Sequence, residues 1–254
     1  MAEAIAARPS SAAEILPLRT RLRQEMGGQI VHDSIHRREG WASSYLLELD
    51  GAAAGFGSVA IGGPWKGSPT VFEFYVLPEH RTRAFALFEA LIGAGRPSFL
   101  ELQSNVPLQT EMALCYGRDV TSEKVVFRDG ATTTHRPRGA VVSPVTPPEE
   151  VRAALEQRQG GGEWVLELDG AKVASGGILF HYNRPYGDVY MEVAEPFRNR
   201  GLGTYLVQEL KRACYALGAV PCARCNTDNV ASRRTLQRAG FVPVGHILIG
   251  ALSA

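Results

Sequence analysis

The chain has 254 residues, 45% of them hydrophobic, and a formal net charge of +1, which allows one large core or two modest ones. A charge so near zero argues against a nucleic-acid or membrane-surface partner, and the apolar runs fall far short of the roughly 20 residues that a spanning helix needs. Four cysteines without framework spacing, and a stretch from Met1 to Ser10 without a signal peptide's apolar core, point to the reducing cytoplasm.

In chain order, Ala12 to Gly27 reads as a helix, with Ala13, Ile15, Leu16, Leu18 and Leu22 as its apolar positions despite Pro17. Gln29 to Gly40 reads as a second, shorter helix. Leu47-Glu48-Leu49-Asp50-Gly51 puts an Asp-Gly turn between strand-like runs, which signals a hairpin. The same residues return as Leu166-Glu167-Leu168-Asp169-Gly170, so the chain contains an internal repeat. Asp129 to Gly139, rich in Gly, Thr, Pro and Arg, reads as an exposed linker. Pro148-Glu149-Glu150 opens a short helix to about Gln159, ended by Gly160-Gly161-Gly162.

The second half carries the chemistry. Asp188-Val189-Tyr190-Met191-Glu192-Val193 alternates polar and apolar, as a strand with one polar face does. Glu195-Pro196 breaks it. Arg198-Asn199-Arg200-Gly201-Leu202-Gly203 then leads into a helix marked by Leu206, Leu210, Ala213 and Leu217, with Gly218 as its stop. A helix start leaves about four N–H groups without intrahelical partners and carries partial positive charge. Glycines at 201 and 203 allow an anion to approach those amides, and Arg198 and Arg200 add charge beside them. Val220 to Cys225 reads as a short strand, Asn226-Thr227-Asp228-Asn229 as turn and helix cap, and Val230 to Arg238 as a helix stopped by Gly240.

Over about residues 160 to 246 this order resembles the GNAT superfamily of N-acetyltransferases. Arg198-x-x-Gly201-x-Gly203 is similar to that family's acetyl-CoA pyrophosphate loop. Asn229-Val230-Ala231-Ser232, ending in Arg238-Ala239-Gly240-Phe241, is similar to its N-x-x-S…G-F segment. The resemblance implies an α/β (α+β) fold, a mixed, mostly antiparallel sheet flanked by helices. It extends to the first half, where Arg81-Thr82-Arg83-Ala84-Phe85-Ala86 lines up with the loop. There Ala84 and Ala86 stand in for the glycines, and their Cβ atoms crowd a phosphate. Asn105 to Gly117 is only a loose match to the Asn229–Phe241 segment. The expected organisation is a degenerate GNAT-like domain at 1–130 that binds no CoA, a linker at 131–139, and an acetyl-CoA-binding domain at 140–254.

The resemblance implies transfer of an acetyl group from acetyl-CoA to a primary amine of a small molecule or peptide, by direct attack, with no metal. The backbone N–H of Val193 then polarises the acetyl carbonyl, and the backbone of Arg198, Asn199, Arg200, Gly201, Leu202, Gly203 and Thr204 holds the pyrophosphate. Asn229, with Ser232 in the same motif, contacts the pantetheine or the departing thiol. On the polar strand face, Glu192 is the candidate base through a water, with a solvated strand carboxylate as the plain alternative. The position where many family members carry a tyrosine acid is Leu236, which leaves Tyr190 or Tyr205 for that role, or no acid at all. Cys222-x-x-Cys225 reads as structural, and His181 to Tyr186 as a turn suited to an acceptor-binding lip or to plain solvent exposure. Two other readings stay open: a non-catalytic acyl-CoA sensor or partner-binding module, and a mycothiol-synthase-like acetyltransferase.

Overall fold

A computed structural model describes residues 3–252; Met1, Ala2, Ser253 and Ala254, which the expected domain boundaries include, lie outside the described residues. The chain divides into two compact units. One runs to Glu123 and resumes at His246, and the other is Lys124–Gly245.

The first unit contains β1 (Ile5–Ser10), α1 (Leu16–Met26), β2 (Ala42–Leu49), β3 (Ala52–Ala60), β4 (Thr70–Val76), α2 (Ala84–Gly95), β5 (Phe99–Gln103), α3 (Pro107–Tyr116) and the start of β6 (Gly117–Asp129). The expected first helix starts only at Leu16, where Pro17 occupies the first turn that tolerates it. The expected second helix is a 3-10 turn, Asp33–Arg37. It is held by charge: the buried Asp33 carboxylate accepts from Arg19 at 2.7 Å and Arg37 at 2.6 Å, and from Arg23. Both Asp-Gly turns form, with positive φ at both residues (Asp50 48° and Gly51 80°; Asp169 51° and Gly170 82°), the geometry a tight hairpin requires.

The second unit continues β6 and adds β7 (Ala140–Pro144), α4 (Pro148–Gln157), β8 (Gly161–Leu168), β9 (Ala171–Leu179), β10 (Tyr186–Val193), α5 (Leu202–Ala216), β11 (Val220–Asn226), α6 (Val230–Arg238) and the start of β12 (Phe241–Leu252). Its strands lie in the order β6-β11-β10-β9-β8-β7, and those of the first unit in the order β1-β2-β3-β4-β5-β12. Within each unit one pair is parallel, β4 with β5 and β10 with β11, and the others are antiparallel. This is the mixed, mostly antiparallel sheet with flanking helices that the sequence implies.

The expected boundaries at 130 and 140 fall inside the second unit, and the chain from His246 onward joins the first. The cause is β12, whose later half pairs with β5 from Ile247↔Gln103 to Ala251↔Phe99. Ile247 is fully buried there, so this strand completes a core formed earlier in the chain. In each unit one helix seals the sheet. Leu87, Phe88 and Leu91 of α2 pack on Val59, Phe74 and Val76, and Leu206, Val207 and Leu210 of α5 pack on Val173, Ile178 and Val189.

Candidate active site

The site begins as an opening among the strands of the second unit. β10 and β11 are paired at Tyr186↔Val220, Gly187↔Pro221 and Asp188↔Cys222. Beyond that, β10 runs on with β9 to Val193↔Ala174, and β11 runs on with β6 to Asn226↔Lys124. The two parallel strands therefore part after Asp188. Along 189–193, β10 has no partner strand on its β11 side among the described residues, which leaves backbone N–H groups there for a ligand.

α5 starts beside the end of β10. Its N-cap, Gly201, has φ 77° and no side chain to cap with, so the N–H groups of the first turn are left for an anion. Asn199 also has positive φ, 62°, which shapes the loop. Gly203 serves close packing: a Cβ there would lie 3.2 Å from Val193 Cγ2 and 3.2 Å from Thr235 Cγ2. Hence the end of β10, the first turn of α5 and α6 meet at one place. At Gly201 a Cβ would overlap the ring of His135, lying 3.0 Å from its Cδ2 and Cε1.

The two loop arginines are partly engaged. Arg198 Nε donates to the carbonyl oxygen of Val193 at 3.0 Å, and the Arg200 guanidinium lies 5.5 Å from the centre of the Phe197 ring. Both are exposed, as is Asn199, while Leu202 and Thr204 are buried. Asn229 is the N-cap of α6, its side-chain oxygen accepting the Ser232 N–H at 2.9 Å. Ser232 also hydrogen-bonds the Cys225 thiol, which burial pushes above its ordinary pKa. Leu236 is 3% exposed and belongs to the second unit's core.

The polar face of β10 is not uniform. Val189 faces the core under α5, whereas Tyr190 and Glu192 are exposed. Asp188, on the same face by alternation, is buried: it accepts from Tyr182 Oη at 2.8 Å and His181 Nε2 at 3.0 Å, with Arg224 Nε 3.7 Å away. The turn before β10 folds back to cover it. Tyr182 is fully buried, and the Arg158 guanidinium holds the turn through the carbonyl oxygens of Tyr182 at 2.7 Å and Asn183 at 3.2 Å. Sequence reasoning missed this cluster, because alternation marks a face without saying what covers it. Burial, and secondarily the charge of Glu163, raises the Tyr190 pKa. That phenol stays protonated and yields its proton reluctantly to a thiolate with a pKa near roughly 8.5.

The first unit has the same opening and fills it. β4 and β5 pair only at Thr70↔Phe99 and Val71↔Leu100. Gln109 then bridges the gap, Nε2 donating to Phe74 O at 3.3 Å and Oε1 accepting the Gln103 N–H at 3.1 Å. Arg81 Nε donates to Val76 O at 3.3 Å, at the same spacing after the strand as Arg198 after Val193. This pairing sets Ala84 and Ala86 against Gly201 and Gly203.

Several solved structures share the fold over almost the whole chain. An acetyltransferase from the GNAT family from Colwellia psychrerythraea matches with a TM-score of 0.70 at 14% identity, covering 97% of this chain and 99% of its own. A tandem GNAT protein from the clavulanic acid biosynthesis pathway matches at 0.63 and 16%, covering 98% of each chain. A GCN5-related N-acetyltransferase from Sphaerobacter thermophilus matches at 0.58 and 15%, covering 97% of this chain and 95% of its own. No curated protein matches the sequence. The sequence profile of the acetyltransferase (GNAT) family matches residues 133–241, which include the opened strand pair, the uncapped helix start and the Asn229 cap. Over that stretch the chain is similar to the acetyltransferase (GNAT) family, whose chemistry is acyl transfer from acetyl-CoA.

Proposed function

We propose that the second unit transfers an acetyl group from acetyl-CoA to a primary amine by direct attack in a ternary complex. The observation that carries this reading is the parting of β10 from β11 after Asp188, beside the uncapped start of α5. Acetyl-CoA supplies the activated acyl group and a thiolate that can leave. The N–H of Val193 polarises the acetyl carbonyl, and backbone donors from Arg198 to Thr204 hold the pyrophosphate. Such preorganised donors strengthen as charge develops on the acyl oxygen. Asn229 uses its side-chain oxygen as a cap, so its amide NH2 is the group left for the pantetheine. Ser232 sits in the same first turn. Glu192 takes the amine proton through a water, and Tyr190 donates a hydrogen bond at the thiolate.

In this reading the two units are GNAT-like domains in tandem, and the first one, bridged by Gln109, binds no CoA. The acceptor is a small-molecule or peptide amine, and the reaction calls for no metal. The test is a calorimetric titration of acetyl-CoA into the full chain. Saturable binding at micromolar concentration or tighter supports the reading, and absence of binding overturns it.

A further inference from the structure

The segment between β6 and β7 has no regular secondary structure, yet it is docked along one face of α5. Lys211 Nζ ties its start, reaching Asp129 Oδ1 at 2.6 Å and Ala131 O at 2.7 Å, with a third bond to Ala239 O at 2.8 Å. The N–H groups of Gly130 and Ala131 both donate to Gly240 O at 3.0 Å. Two residues on, Thr133 Oγ1 accepts from Gln208 Nε2. After two more, the His135 ring lies against Gly201, in the space a side chain would take. Lys211, Gln208 and Gly201 are one helix face. From 211 to 201 that face advances about 15 Å, close to the roughly 13 Å that an extended chain covers from 131 to 135. The contacts therefore match in length, and the strap ends at the helix start.

What it delivers there is a donor. Arg198 is turned back onto Val193 O and Arg200 lies against Phe197, while His135 is exposed and rests directly on the N-cap. We propose that this strap is part of the donor site and that His135 donates a ring N–H to the pyrophosphate held at Gly201. The proposal rests on the acetyl-CoA reading above. It assigns the segment between β6 and β7 a ligand-binding role: the strap fixes one extra donor for a diphosphate. A strap held at Lys211 and Gln208 positions that donor before the ligand arrives, which lowers the ordering cost of binding.

The test is calorimetric titration of CoA into the full-length wild type, His135→Ala and His135→Gln, with thermal unfolding run in parallel. A hydrogen bond to a charged group is stronger than a neutral one, but solvent exposure weakens it. His135→Ala is expected to raise the Kd about 5- to 10-fold without moving the unfolding temperature. His135→Gln, which keeps an N–H donor, is expected to stay within about 2- to 3-fold of wild type. If wild type binds CoA and His135→Ala binds as well or better, the strap proposal is overturned and the donor-site reading stands. If wild type does not bind CoA, the donor-site reading itself is overturned.

Discussion

Gln109 donates through Nε2 to the carbonyl oxygen of Phe74 at 3.3 Å, across the gap where β4 leaves β5. Its Oε1 accepts the Gln103 N–H at 3.1 Å, and the side chain is 2% exposed as it makes both bonds. One buried amide thus satisfies backbone groups in the gap between β4 and β5, the counterpart of the opening between β10 and β11. The expected stoichiometry is one CoA per chain, read as the inflection of a calorimetric titration; two per chain would mean that Gln109 does not close the first opening. Gln109→Ala strands buried backbone groups and should cost about 1–3 kcal/mol of stability, measurable by denaturant unfolding.

Gly203→Val tests the loop. A Cβ there already stands 3.2 Å from Val193 Cγ2 and Thr235 Cγ2, and a branched side chain must push α5 away from β10. CoA affinity should fall at least about 30-fold, roughly 2 kcal/mol. Stability should fall as well, by the 1–3 kcal/mol typical of overpacking. Unchanged CoA affinity in a folded variant removes the loop from the donor site.

Glu192→Gln separates proton transfer from donor binding. Glu192 is exposed on the free face of β10, so the change should leave CoA affinity within about 2-fold of wild type. Loss of a general base costs on the order of 100-fold in kcat. Equal turnover with an unaltered pH profile assigns the proton to another group.

A fourth expectation concerns acid. Burial alone would raise the Glu73 pKa, but the charges of Arg19 and His36 outweigh it and lower it from 4.5 to about 2. Arg19 Nε lies 3.3 Å and His36 Nε2 2.8 Å from its Oε2. A carboxylate whose pKa is depressed on folding stabilises fully above the unfolded value and loses that contribution as pH falls through the folded one. The unfolding temperature of the first unit should therefore drop between pH 4.5 and about 2. In Glu73→Gln the slope over that window should flatten, since the group no longer titrates; an unchanged slope assigns the acid sensitivity to other carboxylates.

Local signals carried much of the fold into the sequence. Asn229 with Gly240 brackets α6, which spans Val230–Arg238 as its cap and stop indicate, and the Asp-Gly pairs mark both hairpins. These are short-range effects: one cap oxygen, one left-handed residue. β1 went unread because Ile5–Ser10 carries a proline and alternates weakly. The return of β12 to the first unit is a long-range pairing that nothing near Ile247 encodes. At the candidate site the glycines were visible, but their neighbours were not. His135 comes from a stretch whose Thr, Pro and Arg content reads as solvated linker, and its docking depends on Lys211 and Gln208, far off in sequence. Asp188 reads as open strand surface until the Tyr182 turn covers it.

Acetyl transfer at the opening between β10 and β11 requires that CoA thiol be released only when an amine acceptor is present. Release of free CoA thiol from acetyl-CoA, followed across a broad panel of primary amines with wild type and Gly203→Val, tests it most directly. Wild type should release thiol in an amine-dependent way for at least one acceptor class, and the variant should lose nearly all of that release. Tight CoA binding by wild type with no amine-dependent release anywhere in the panel would contradict it, and would make the second unit an acyl-CoA sensor.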